Sequence, residues 1–123
     1  MPNIPIISIV DDDDSVRNSL DDLIRSIGFQ TQGFASAEAF LNSNGARNTA
    51  CLILDVRMPG MNGLDLQRQI VTANWRIPII FITSHADDDA RARALDAGAV
   101  AFLYKPFREK ELVDAIDAAL KHS

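Results

Sequence analysis

The sequence predicts an α/β fold: a doubly wound, five-stranded parallel sheet of order 2-1-3-4-5 with helices on both faces. Three observations predict it. Short apolar, often β-branched runs alternate five times with stretches of helical periodicity. The run from Cys51 to Leu54 is continuously apolar rather than alternating, as in a strand buried on both faces. Chemistry-bearing polar residues follow directly on the apolar runs, at the end of the sheet where such folds form their crevice.

The elements follow in chain order. Pro5 to Val10 reads as strand 1. After Asp11 to Asp14, residues Val16, Leu20, Leu23, Ile24 and Ile27 recur at helical spacing and give helix 1 one apolar stripe. Gly28 suits its C-terminal cap. Phe29 to Phe34 is more polar and reads as an edge strand. Ser36 is placed to N-cap a short helix 2 carrying Ala39, Phe40 and Leu41, and Asn42 to Asn48 reads as loop. Strand 3 is Ala50 to Leu54. Helix 3 runs from about Leu64 to Ala73 with Leu66, Ile70 and Ala73 inward, and Trp75 packs at its end. Pro78 opens strand 4, Ile79 to Ile82. Helix 4, about Asp87 to Ala97, is mostly alanine on its apolar side, so shallow packing is expected. Strand 5 is Val100 to Tyr104. Helix 5 runs from Arg108 to Lys121 with Leu112, Ile116, Ala119 and Leu120 inward, and its first-turn charges read as solvated. Right-handed crossovers leave few topologies. A polar strand 2 at one edge and an apolar strand 3 at the centre fit the order given, which would leave Asp11, Asp12 and Asp55 facing one crevice between strands 1 and 3.

Composition sets the outer bounds. The 123 residues, 47% hydrophobic and 24% charged, suit one globular domain, 1–123, without repeat or linker. A net charge of −5 argues against direct nucleic-acid binding, which needs a basic face. No apolar run approaches the roughly 18 residues of a membrane span, and the acidic start of the chain does not read as a signal peptide. Cys51 is the only cysteine, which excludes an intrachain disulfide and suits a buried hydrophobe rather than a reactive thiol. A cytoplasmic location is the expectation.

A parallel sheet brings the ends of its strands to one rim. Asp11 and Asp12 follow strand 1, Asp55 follows strand 3, Thr83 and Ser84 follow strand 4, and Lys105 with Pro106 follows strand 5. Three clustered carboxylates repel one another unless a cation intervenes. Mg²⁺ suits this donor set, because it takes a few carboxylates and keeps positions for water or phosphoryl oxygens. A carboxylate can then attack phosphorus and form an acyl phosphate, with Lys105 supplying positive charge and Thr83 a hydroxyl donor.

These residues carry a resemblance. VDDD at Val10 to Asp13, LDVRMPGMNG at Leu54 to Gly63, ITS at Ile82 to Ser84, DAGA at Asp96 to Ala99 and FLYKPF at Phe102 to Phe107 stand in the order of response regulator receiver domains, and together cover nearly the whole chain. The chain resembles the CheY-like superfamily, whose architecture is shared with flavodoxins, and in wording the FixJ-like branch. Full-length members of that branch usually carry a C-terminal helix-turn-helix domain.

The resemblance implies that Asp55 accepts a phosphoryl group from a histidine kinase or phosphotransfer protein. It implies that Asp12, Asp55 and the backbone carbonyl of Arg57 ligate Mg²⁺, with Asp11 acting through water. Lys105 would contact the phosphoryl group, Thr83 would move toward it, and Phe102 would change rotamer. The Lys105–Pro106 bond would be cis. A homodimer through helix 4, strand 5 and helix 5 would form on phosphorylation. Arg57 and His85 occupy the positions that tune dephosphorylation in the family.

Blander roles stand beside these. Asp13 and Asp14 suit a helix N-terminus. Thr83 and Ser84 equally suit the start of helix 4. Phe102 suits plain core, His85 a solvent-facing loop, and His122 the end of the chain. Three other functions compete. A haloacid-dehalogenase-like phosphatase would use Asp11 and Asp13, but needs a further acid on a strand end after the lysine, and Asp114 and Asp117 fall inside helix 5. A flavin module would place a hydroxyl- and glycine-rich loop where four aspartates stand. A receiver scaffold that no longer accepts phosphate would not need Asp55, Thr83 and Lys105 together.

Overall fold

The computed structural model describes residues 4–85 and 87–121. Five strands, β1 (Ile6–Val10), β2 (Gln30–Phe34), β3 (Cys51–Asp55), β4 (Ile79–Thr83) and β5 (Ala101–Tyr104), form one parallel sheet of order β2-β1-β3-β4-β5. Five helices connect them: α1 (Asp14–Ser26), α2 (Ala37–Leu41), α3 (Gly63–Thr72), α4 (Asp88–Asp96) and α5 (Glu109–Lys121). The strand order matches the sequence expectation, with the polar strand at one edge. His122 lies outside the described residues.

The sheet separates two apolar layers. On one side Ile24 of α1 and Leu112, Ile116 and Ala119 of α5 pack on Ile7, Ile9, Ile53, Ile80 and Ile82. On the other, Phe40 of α2, Leu66 and Ile70 of α3 and Ala90 and Ala94 of α4 pack on Val10, Leu52, Leu54, Phe81 and Phe102. Alternate residues of each strand therefore serve opposite layers, which is why β3 and β4 read as unbroken apolar runs.

The helix ends follow their local chemistry. Asp13 N-caps α1 by accepting the Ser15 and Val16 N–H groups, and Ser36 N-caps α2 through the Ala39 N–H. Gly28, at φ 104°, turns the chain after α1. Asn62 and Asp65 form a reciprocal capping box at α3.

Two expectations are corrected, and the alternative role of Thr83 and Ser84 as the start of helix 4 is set aside. The segment read as loop contains a 3-10 helix, Ala46–Asn48. Ala73, expected inward, is exposed, because α3 ends at Thr72 and Asn74 takes a left-handed conformation at φ 60°. Gln67 is buried instead, its amide nitrogen donating to the Ala94 carbonyl at 2.9 Å. Helix α4 is N-capped by Asp87, whose side chain accepts the Ala90 N–H, so Thr83 and Ser84 do not start it.

Candidate functional site

The site is built on the carboxyl ends of four strands. Asp11 follows β1, its N–H donating to the Phe34 carbonyl of β2. Asp55 closes β3 and Thr83 closes β4. Lys105 follows β5, its N–H donating to the Thr83 carbonyl at 2.7 Å. Parallel registry thus delivers four side chains, distant in sequence, to one rim.

There the carboxylates converge. One oxygen from each of Asp11, Asp12 and Asp55 lies within 4.8 Å of the others. Asp11 is fully buried and Asp55 is 7% exposed, while Asp12 faces solvent. The Lys105 ammonium donates to Asp11 Oδ2 at 3.0 Å and stands 4.0 Å from Asp55 Oδ2. It is a partner of the acids rather than a solvated loop lysine. The other Asp11 oxygen accepts the Asp13 N–H at 2.9 Å. The Lys105–Pro106 bond is cis.

Burial pushes the Asp55 carboxyl up to about 6, and the Asp11 carboxylate adds to the rise. Lys105 and the backbone N–H of Arg57 pull it down, and Asp12 raises it again. Protein groups thus leave this carboxylate with unmet negative charge at neutral pH. The donor set fits a hard divalent cation: it is all oxygen, partly solvent-facing, and anionic beyond what one ammonium offsets.

The Thr83 hydroxyl makes its hydrogen bonds locally, with the backbone of His85. It accepts the His85 N–H at 3.1 Å and approaches the His85 carbonyl at 3.4 Å. Phe102 is buried, with ring centroids 5.9 Å from Phe81 and 5.5 Å from Tyr104. His85 is exposed. Asp114 is exposed and pairs with Lys110 at 2.9 Å, so it does not supply the further acid a dehalogenase-like phosphatase needs.

Several supporting contacts escaped sequence reasoning. A Cβ on Gly63 would lie 2.3 Å from the Asp55 carbonyl oxygen, so only glycine lets α3 start against the end of β3. Glu38 of α2 accepts the Met61 N–H at 3.1 Å and steadies the loop after Asp55. Arg57 pairs at 3.8 Å with Asp87, the cap of α4. Arg17 reaches back from α1 to the Asp11 carbonyl. The glycine after a turn-rich loop was the one available signal. The others depend on how helices pass over the sheet.

A family model described as the response regulator receiver domain matches residues 7–117. The chain belongs to this family. Receivers are the signalling modules of two-component response regulators, and aspartate phosphorylation is general to them. Among curated relatives, the response regulator protein TmoT of Ectopseudomonas mendocina is 52% identical over 116 residues, 94% of this chain and 53% of TmoT. Nodulation protein W of Bradyrhizobium diazoefficiens is 50% identical over 114 residues, 93% of this chain and 50% of that protein. The transcriptional regulatory protein FixJ of Azorhizobium caulinodans is 36% identical over 123 residues, 100% of this chain and 58% of FixJ. The receiver thus spans about half the length of these relatives. Among solved structures, FixJ-N superposes with a TM-score of 0.88 at 37% identity, covering 100% of this chain and 98% of that one. The response regulator StyR gives 0.88 at 45% identity, covering 98% and 61%. No helix among the described residues is long and apolar enough to cross a membrane.

Proposed function

We propose that this receiver accepts a phosphoryl group on Asp55 in a Mg²⁺-dependent reaction, from a histidine kinase or phosphotransfer protein in the cytoplasm. The observation that carries the reading is the meeting of the Asp55 carboxylate with those of Asp11 and Asp12 and with the Lys105 ammonium. Asp12, Asp55 and the Arg57 carbonyl would hold the ion, with Asp11 acting through water. Bound there, Mg²⁺ supplies charge neutralisation for carboxylate and phosphoryl oxygens.

An Asp55 oxygen attacks phosphorus, the bond to the donor's leaving atom breaks, and the leaving group departs with its electron pair and takes up a proton. Lys105 balances the charge on the arriving group, which requires it to exchange part of its contact with Asp11. Thr83 exchanges its local turn with His85 for a phosphoryl oxygen, and Phe102 follows with a change of rotamer. The face formed by α4, β5 and α5 then serves as output, including as a homodimer interface. The module takes part in its own phosphorylation without turning over an external substrate.

Incubation with a small phosphodonor followed by intact mass tests this. One phosphoryl adduct is expected with Mg²⁺, and none without Mg²⁺ or in Asp55→Asn. An adduct that ignores Mg²⁺, or persists in Asp55→Asn, overturns the assignment.

A further inference from the structure

Asp11 is fully buried, and four contacts fix it. Its N–H donates to the Phe34 carbonyl, and its two carboxylate oxygens take the Asp13 N–H and the Lys105 ammonium. The fourth contact comes from outside the acidic cluster. Arg17, one turn into α1, donates from Nη1 to the Asp11 backbone carbonyl at 2.6 Å. Its other terminal nitrogen, Nη2, pairs with Asp14. The guanidinium therefore bridges the peptide that joins Asp11 to Asp12 and the first residue of α1. Its side chain is only 20% exposed. A Cβ on Gly33 would stand 3.6 Å from Arg17 Cδ, so the stem lies along β2 where that strand carries no side chain.

The Asp11 carbonyl belongs to the peptide unit that leads into Asp12. Rotation of that unit would swing the exposed Asp12 carboxylate relative to Asp55, and nothing else among the described residues holds the carbonyl. We propose that Arg17 is a positioning residue of the acidic site, fixing the Asp11–Asp12 peptide so that the Asp12 carboxylate is aimed at a divalent cation. The inference rests on the reading that Asp11, Asp12 and Asp55 take such an ion.

Charge and geometry predict opposite signs, which makes the idea sharp. Arg17 is cationic and close to the acids, so as a mere charge it would repel Mg²⁺, and its removal would tighten binding. As a support for the ligand set its removal would weaken binding, as loss of groups that orient metal ligands typically does by about 10- to 100-fold. Lysine keeps the charge but lacks the fork that reaches the Asp11 carbonyl and Asp14 together.

The test is calorimetric titration of Mg²⁺ into wild type, Arg17→Ala, Arg17→Lys and Asp14→Asn, with thermal melts in metal-free buffer beside it. Wild type is expected to bind one Mg²⁺. Arg17→Ala should raise Kd about tenfold, Arg17→Lys by less, and Asp14→Asn should leave it within about twofold, since the carbonyl contact survives. Tighter or unchanged binding in Arg17→Ala overturns the proposal. Should Arg17→Ala fail to fold, Arg17→Lys decides, and an unchanged Kd there is the contrary result. Failure of wild type to bind Mg²⁺ at all would instead overturn the reading of the acidic site.

Discussion

Strand β3 holds two regions that differ in kind within one residue. Cys51, Leu52, Ile53 and Leu54 are fully enclosed and apolar, and they gain stability by packing alternately into the two layers. Asp55, next in line and almost as buried, meets two other carboxylates and an ammonium. The middle of the sheet favours the folded state, whereas the rim opposes it, since burial and the Asp11 charge disfavour an ionised Asp55. The difference teaches that stability and chemistry are assigned to adjacent positions on the same scaffold, and that substitutions at neighbours should change stability with opposite signs.

The largest expected effect breaks the middle. Ile53→Ala should cost about 4 kcal/mol in urea unfolding, from lost burial and the cavity left between α1 and α5. Asp55→Asn should do the reverse: in metal-free buffer at pH 7 it should raise stability, while losing phosphoryl acceptance entirely. The sign follows from linkage. The folded-state value of about 6 lies above the ordinary 3.8, so the folded protein holds more protons between them. Metal-free stability should therefore fall as pH rises from about 4 to about 6, and Asp55→Asn should flatten that dependence. Millimolar Mg²⁺ should raise the melting temperature of wild type by a few degrees and that of Asp55→Asn by less.

Two smaller effects sharpen the contrast. Phe102→Leu should leave labelling by a small phosphodonor nearly unchanged but weaken any phosphorylation-driven dimerisation, read by sedimentation. Unchanged dimerisation would count against Phe102 as the coupling residue. Burial pushes the Cys51 thiol up to about 12, so thiol reagents should leave it unmodified in the folded protein over hours, and react only on unfolding.

Much of this was legible from residue order. Continuous apolar runs such as Ile79–Ile82 mark strands covered on both sides, and the residue after each run must fall at the rim. That logic finds Asp11, Asp55, Thr83 and Lys105 without any distance. It fails where pairing is set by three-dimensional passage. Gln67 looks like a surface residue of α3 until α4 crosses it and offers the Ala94 carbonyl. Arg17 looks like an ordinary helical arginine until its guanidinium is seen on the Asp11 peptide. The Ala46–Asn48 turn has too few residues to show a period. Shallow packing of α4 was legible, since only Ala90 and Ala94 are buried on it, against Leu112, Ala115, Ile116 and Ala119 of α5.

The most direct test of the acidic cup is to find where the phosphoryl group lands. Wild-type protein labelled in Mg²⁺, reduced with borohydride to trap the acyl phosphate and mapped by tandem mass spectrometry, should show a single modified residue, Asp55. Modification at Asp12, at a residue outside the rim, or nowhere under conditions that label an established receiver would contradict the account.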